Sequence, residues 1–170
     1  MKLFLIFIIV LYFTPCSSQN IITKDGEFMD TSSNINPKCA PSVAAYTSGY
    51  IGSFYYYSYG CKYPRSSATL LKDAKTFLAK KNNPYSGNGY ITFRFTIDCE
   101  GKMLKKVQVL QTDDSYTHFH FDKRLVNELF DYLNTLTQWK IAGAKRGTPF
   151  NYMAFITFKI HDGKVINIIP

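Results

Sequence analysis

The chain has 170 residues, of which 46% are hydrophobic and 16% aromatic, and its formal net charge is +8. This length suits one domain with a hydrophobic core of its own. The basic residues are scattered rather than gathered in one arm, which argues against a nucleic-acid partner. The charge then indicates either solubility or attraction to an acidic surface, such as anionic lipid or cell wall.

The first 18 residues have the order of a secretory signal. Lys2 precedes an apolar run at residues 3–13, and the small residues Ser17 and Ser18 follow it. The run is shorter than the roughly 20 residues that span a bilayer. We therefore predict that residues 1–18 are removed and that the mature protein is periplasmic or secreted, without a stable membrane span. A lipid anchor on Cys16 and an uncleaved membrane anchor are the alternatives.

Residues 19–45 are polar and interrupted by glycine and proline, which predicts an irregular leader. The mature chain then keeps Cys39, Cys61 and Cys99. An odd number of cysteines in an oxidising compartment predicts one disulfide and one spare thiol. All three pairings remain open, and the pair Cys39–Cys61 is the nearest in sequence.

The predicted domain covers residues 46–170 and begins with a tract of aromatic residues and glycines at 46–63. Such mixtures stack on sugars or peptides, because aromatic rings offer large amphipathic faces. The other interpretation is that these rings cover the sheet or pack under the leader.

Periodicity predicts a helix followed by two strands. Apolar residues recur at helical spacing over residues 66–81, and Ser66 is placed to cap the start. Residues 90–98 alternate between apolar and polar side chains, as in a half-buried strand. After a tight turn, residues 103–110 return as the second strand.

A second helix and two further strands complete the pattern. Residues 121–136 carry an apolar stripe, and Trp139 is predicted to plug the end of the core. Residues 152–160 alternate as a third strand, and Asp162-Gly163 is a two-residue hairpin signal. Residues 165–169 are then expected to fold back as a short fourth strand. The fold class is therefore α+β, a two-layer αββαβ(β) domain with two helices on one face of an antiparallel sheet of three to four strands.

Residues 63–160 resemble the C-terminal domain family of TonB, the energy transducer of Gram-negative bacteria. The likeness lies in the order of the elements and in the residues that punctuate them. These residues are Tyr63, Pro64, Gly89, Phe95, Ile97, Gly101, Asp122, Leu125, Leu129, Trp139 and Phe158.

The resemblance implies a periplasmic protein-binding module linked to TonB-dependent transport across the outer membrane. Members of the family hold a short receptor peptide by adding it as a strand to the edge of their third strand. Main-chain hydrogen bonds give such pairing its affinity, and side-chain pockets give its selectivity. The equivalent edge residues here are Tyr152, Met153, Phe155, Thr157 and Lys159. No cofactor and no catalytic group is implied, and the expected partner is an envelope protein or outer-membrane receptor peptide.

Several features depart from the family pattern. We find neither the usual membrane anchor nor the Pro-rich arm, and Ile141 stands where the family has proline. The 24 residues between Pro64 and Gly89 exceed the usual helix and loop. The predicted last strand, residues 165–169, is placed to pair with the edge that a receptor peptide would occupy. It would then act as a built-in competitor or blunt a sticky edge.

Other candidate sites have simpler explanations. His118 and His120 form an HxH pattern, but no third metal ligand is fixed by spacing, so a solvated loop is the favoured interpretation. Asp98 and Glu100 flank a hairpin turn, and turn formation accounts for them better than acid–base catalysis. Cys99 has no neighbouring histidine to activate it as a nucleophile. The sequence therefore predicts that the protein is not an enzyme. The alternative function is association with glycan or peptidoglycan through the tract at 46–63.

Overall fold

The computed structural model describes residues 27–30, 39, 55–143 and 149–170. The predicted signal peptide, Cys16 and residues 46–54 lie outside this part of the chain. A short 3-10 helix, Tyr56–Tyr59, precedes the main elements. The helices and strands, in chain order, are β1 (Glu27–Asp30), α1 (Ser67–Ala79), β2 (Gly89–Ile97), β3 (Met103–Thr112), α2 (Lys123–Asn134), β4 (Tyr152–His161) and β5 (Lys164–Ile169).

The strands form one antiparallel sheet in the order β1-β3-β2-β4-β5, and both helices pack on the same face. This arrangement confirms the α+β prediction. The sheet has five strands rather than three to four, because part of the predicted irregular leader is β1, which pairs with β3. The leader prediction was wrong at residues 27–30, since β1 is held by main-chain pairing and its four residues carry no alternation of apolar and polar side chains.

The core lies between the sheet and the helices. Alternate residues of β2 and β4 are buried, as the period of two requires. The helices add Leu70 and Leu129, both without exposed area. Trp139 closes one end of the core as predicted: its ring lies 4.5 Å from that of Tyr63 and 5.1 Å from that of Phe95, between centroids.

The helix starts follow the capping signals in the sequence. The Ser66 hydroxyl accepts a hydrogen bond from the Thr69 N–H at 3.2 Å, which confirms Ser66 as the cap of α1. Asp122 caps α2 by accepting from the Arg124 N–H at 2.8 Å. Each helix is shorter than predicted, because apolar spacing continues past the residues that keep helical hydrogen bonds.

Two glycines fix the ends of strands through close approach. Gly89 starts β2 at a φ of 141°, and a Cβ there would overlap the main chain of Thr112 and Asp113. Gly163 has a φ of 67° and follows Asp162 at 48°, the left-handed pair that a two-residue hairpin needs. A Cβ on Gly163 would overlap the main chain of Tyr85. The predicted hairpin between β4 and β5 is therefore confirmed, together with its sequence signal.

The disulfide joins Cys39 to Cys99, with 5.4 Å between their Cα atoms and a sequence separation of 60. Cys61 is buried and has no disulfide partner. The bond is therefore not the pair nearest in sequence. Cys99 follows β2 at the hairpin turn, so the disulfide ties the segment that carries β1 to the central hairpin.

Candidate functional site

The predicted peptide-binding edge on β4 is not an open edge. β4 lies between β2 and β5, and β5 pairs with it from Thr157 to His161. Tyr152 is buried, and its hydroxyl donates to the Lys140 carbonyl at 2.7 Å. Lys159 pairs with Asn167 of β5. The last strand therefore occupies the edge of β4 at residues 157–161, as its hairpin signal indicated.

The other half of β4 is approached by the aromatic tract. Tyr55 forms a parallel bridge with Met153, at the part of β4 that β5 does not reach. The Tyr55 ring also stacks on Phe155, with 5.8 Å between centroids and 13° between planes. A visiting strand would therefore meet β5 or Tyr55 along β4.

The tract divides into covering and exposed rings. Tyr55 packs against the sheet, and the Tyr56 hydroxyl donates to the Pro170 carbonyl at 3.3 Å, which fastens the end of β5. Tyr57 is 65% exposed and Tyr59 is 42% exposed. The interpretation that the rings cover the sheet thus holds for Tyr55 and Tyr56. Tyr57, which stacks on Tyr55, and Tyr59, whose ring lies 4.9 Å from that of Phe150, are more exposed.

β5 is the strand that now forms this edge of the sheet. Two of its side chains, Ile166 and Ile169, are 42% and 51% exposed. The Asn167 side-chain oxygen accepts the Ile168 N–H at 2.9 Å, so a side chain of the strand itself occupies this main-chain donor. β5 is also short, and its pairing with β4 has a bulge at residues 159–160. Both features protect an edge strand from unwanted pairing with another chain.

The inner side of β5 is firmly packed. Val165 and Ile168 are buried in the main core, and α1 packs against the strand. These contacts make β5 part of the domain rather than a loosely attached tail. Strand addition at the outer edge of β5 accordingly needs less rearrangement than strand addition at β4.

The two histidines of the HxH pattern lie together on the surface. The rings of His118 and His120 are 4.5 Å apart and nearly perpendicular, and both residues are exposed. Within the part of the chain that the structure describes, no three metal-binding side chains gather in one place.

The carboxylate at the central hairpin supports the turn. Asp98 is buried, and one of its side-chain oxygens accepts the N–H groups of Glu100 and Lys102 at 2.9 and 2.8 Å. The predicted structural role of Asp98 is therefore confirmed. Cys99 is in the disulfide, and burial raises the pKa of the Cys61 thiol, which disfavours the reactive thiolate.

Two surface clefts have room for small ligands. One, of about 260 Å³, lies between the helices beside an ion pair between Arg65 and Asp73 at 2.7 Å. The other, of about 320 Å³, lies between Tyr85 and the segment at residues 119–122. Burial and the nearby Glu128 carboxylate raise the pKa of Tyr85, and Glu128 accepts a hydrogen bond from the Asn83 amide at 2.7 Å. The sequence analysis missed this buried carboxylate, although Glu128 lies three residues after Leu125 and four before Tyr132, a spacing that places it on the buried side of α2.

Buried tyrosines give the fold a sensitivity to alkali. Burial raises the pKa of Tyr132 to about 12, and its hydroxyl donates to the Leu70 carbonyl at 2.9 Å. Because the folded-state pKa lies above the ordinary value of 10.0, this stabilisation is complete below pH 10 and is lost as pH rises towards 12. Burial also raises the pKa of Tyr152.

We therefore expect the free energy of unfolding to fall between pH 10 and 12. Replacing Tyr132 with phenylalanine should lower that free energy at pH 7 by about 1 kcal/mol, through the lost hydrogen bond. It should also flatten the alkaline fall. Urea unfolding of both proteins from pH 8 to 11.5 measures this, and equal slopes above pH 10 would contradict the burial of an un-ionised Tyr132.

Comparison with protein-family models, with curated proteins and with solved structures found no match to this chain. In the described residues, no helix is both long enough and apolar enough to cross a membrane.

Proposed function

We propose that the protein is an exported, protein-binding module of the cell envelope that holds a peptide segment by β-strand addition at the outer edge of β5. One observation carries the proposal: the last strand of the sheet is an edge strand with two exposed isoleucines, Ile166 and Ile169. A partner strand would gain main-chain hydrogen bonds along this edge and cover both side chains. The resemblance to the TonB C-terminal family supports the same mode of binding.

The energetic cost of exposing β4 favours the β5 edge. A peptide that paired with β4 would first have to displace β5 and bring Val165 and Ile168 into water. Exposing such side chains costs about 1.5–3 kcal/mol each, or about 3–6 kcal/mol for the two. Since about 1.4 kcal/mol is a factor of ten, displacement would weaken the apparent affinity by about 10² to 10⁴.

The chemistry of the edge indicates the kind of partner. β5 contains Lys164 and no acidic residue. A partner strand complementary to β5 would therefore carry an acidic side chain near Lys164 and apolar side chains near Ile166 and Ile169. An envelope protein, such as an outer-membrane receptor of TonB-dependent transport, is the partner that the family resemblance suggests.

The compartment proposal rests on two features. The disulfide between Cys39 and Cys99 is typical of proteins that mature in an oxidising environment. The predicted signal at residues 1–18 would deliver the chain there. A periplasmic or secreted location accords with both features.

Calorimetric titration tests the edge. The probe is a ten-residue peptide copied from the plug segment of an outer-membrane receptor, with a proline-interrupted version as control peptide. Replacing Ile166 and Ile169 together with serine should weaken binding about tenfold, because it removes apolar contact worth about 1–2 kcal/mol. Ile141→Ser is the matched control, since Ile141 is 43% exposed and lies outside β5. Equal losses in both variants, or equal binding of both peptides, would refute strand addition at β5.

Association with cell-wall glycan is a second candidate. The exposed rings of Tyr57 and Tyr59 favour it, because sugars stack on accessible aromatic faces. Sedimentation with insoluble peptidoglycan separates the two candidates, since Tyr57→Ala with Tyr59→Ala would release the protein from the pellet and leave peptide binding unchanged.

A further inference from the structure

The face of the sheet opposite the helices carries an ordered stripe of side chains on the two central strands. Three cross-strand pairs of β2 and β4 form it: the outer pairs each combine one aromatic ring with one cation, and the middle pair is two threonines. We call these six residues the open-face stripe: Tyr90 with Lys159, Thr92 with Thr157, and Arg94 with Phe155. All six are half-buried.

The two outer pairs of the stripe hold their cations over rings. The Lys159 ammonium lies 5.6 Å from the centroid of Tyr90, and the Arg94 guanidinium carbon lies 6.0 Å from that of Phe155. Arg94 is further oriented by contacts with Gln108 and with the sulfur of Met153. Both cations are therefore positioned by neighbouring side chains rather than extended freely into solvent.

Stacked rings continue each end of the stripe. Tyr116 stacks on Tyr90, with 5.2 Å between centroids and 9° between planes. At the other end, Tyr55 stacks on Phe155, and Tyr57 stacks on Tyr55 at 5.5 Å and 9°. Tyr116 is 73% exposed, so the ring pair at its end remains accessible.

The centre of the stripe carries two hydroxyls, and the strands around it carry no acidic side chain. The hydroxyls of Thr92 and Thr157 lie 2.9 Å apart, midway between the two cations. Strands β2 to β5 contain five Lys or Arg residues and no Asp or Glu, so no carboxylate within these strands competes for Arg94 or Lys159. The outer pairs are four residues apart along β2, or about 13 Å at about 3.3 Å per residue.

We infer that the open-face stripe binds an anionic glycan, with two acidic groups on Arg94 and Lys159 and sugar rings against the flanking tyrosines. The two cation–ring pairs are about 13 Å apart along β2, which suits a linear acidic polysaccharide with charges on successive sugars better than a single phosphate group. Hydroxyls at the centre and ring faces at the ends suit sugars, which present both polar edges and apolar faces. The site is independent of the outer edge of β5, so peptide binding there neither requires nor excludes it.

Titration with oligogalacturonate, which carries a carboxylate on each sugar, tests the inference. Arg94→Gln and Lys159→Gln should each weaken binding about tenfold. Each removes one oriented charge, and a tenfold change in affinity corresponds to about 1.4 kcal/mol of binding free energy. Lys75→Gln is the matched control, because it removes the same charge from α1 on the opposite face of the sheet and should change affinity less than twofold. An equal loss in Lys75→Gln would show that net charge alone attracts the glycan and would overturn the site.

Three further ligands distinguish a site for an acidic glycan from a site for any polyanion. The methyl-esterified oligomer should bind at least tenfold more weakly, and Tyr116→Ala should weaken oligogalacturonate binding several-fold while leaving the melting temperature unchanged. Inorganic polyphosphate, which has charge but no sugar rings, should bind more weakly than oligogalacturonate and should not respond to Tyr116→Ala. Equal binding of polyphosphate, or binding to phosphatidylglycerol vesicles without binding to oligogalacturonate, would overturn the inference. The Tyr116 and Lys159 variants keep the test decisive if Arg94→Gln fails to fold.

Discussion

Reduction of the disulfide between Cys39 and Cys99 is expected to lower the free energy of unfolding by about 4 kcal/mol. The bond spans 60 residues, and closing a loop of that length removes a corresponding amount of entropy from the unfolded chain. Because the disulfide holds the leader at the central hairpin, reduction should also release β1 from β3. Amide exchange at Val107 and Val109, which pair with β1, should then quicken.

Urea unfolding with and without reductant measures the disulfide effect, and a double replacement of Cys39 and Cys99 with serine should reproduce the reduced protein. Cys61→Ala is the control, since Cys61 has no disulfide partner and its loss should leave the difference between oxidised and reduced protein intact. A change below about 1 kcal/mol on reduction would contradict a bond that constrains the unfolded chain.

Truncation of Ile168 to alanine is expected to destabilise the protein by about 2–5 kcal/mol. The side chain has no exposed area and packs in the main core, so its removal leaves a cavity as well as lost contact. Because Ile168 anchors β5, amide exchange should quicken first in β4 opposite that strand, from Thr157 to His161.

The matched variant is Ile166→Ala, two residues away on the same strand. Ile166 is 42% exposed, so the same chemical change should cost less than about 1 kcal/mol. Thermal and urea unfolding of the two variants compare them directly. Similar losses for Ile166 and Ile168 would mean that β5 is not docked with one face in the core.

The sequence predicted the elements whose side-chain patterns are strong. Buried and half-buried residues alternate along β2 and β4, as the period of a strand requires. The apolar stripes of α1 and α2 likewise identify the faces that these helices bury. The Asp162-Gly163 signal was enough to predict a hairpin, because few other residues adopt two successive positive φ angles.

The features that the sequence could not supply depend on which segments meet. β1 is held by main-chain pairing with β3, which leaves no mark on its four side chains. The disulfide joins residues 60 positions apart, whereas sequence spacing can point only to near pairs. The open-face stripe likewise joins β2 to residues more than 60 positions later, and it becomes apparent only when the register aligns Arg94 with Phe155.

The occupied edge of β4 changes how a TonB-like module would work. In the mode that the resemblance implies, a peptide lies where β5 lies in this chain. β5 contributes buried side chains and is fastened by the hydrogen bond between Tyr56 and Pro170. The domain therefore carries its own strand at this position, and a partner that adds to this side of the sheet without displacing β5 meets β5 first.

Backbone amide shifts on addition of the receptor plug peptide test strand addition at β5 most directly. A second disulfide can lock β5 onto β4. It is made by Thr157→Cys and Ile169→Cys, at residues that face each other across the two strands, and Cys61→Ala removes the spare thiol. In this locked protein we expect the amides of Lys164–Ile169 to shift and those of Glu27–Asp30 to stay unchanged. The affinity should match that of an unlocked reference with Thr157→Ser, Ile169→Ser and Cys61→Ala, which lacks the same isoleucine side chain. Loss of binding on locking, or shifts confined to Tyr152 and its neighbours in the unlocked protein, would contradict the account.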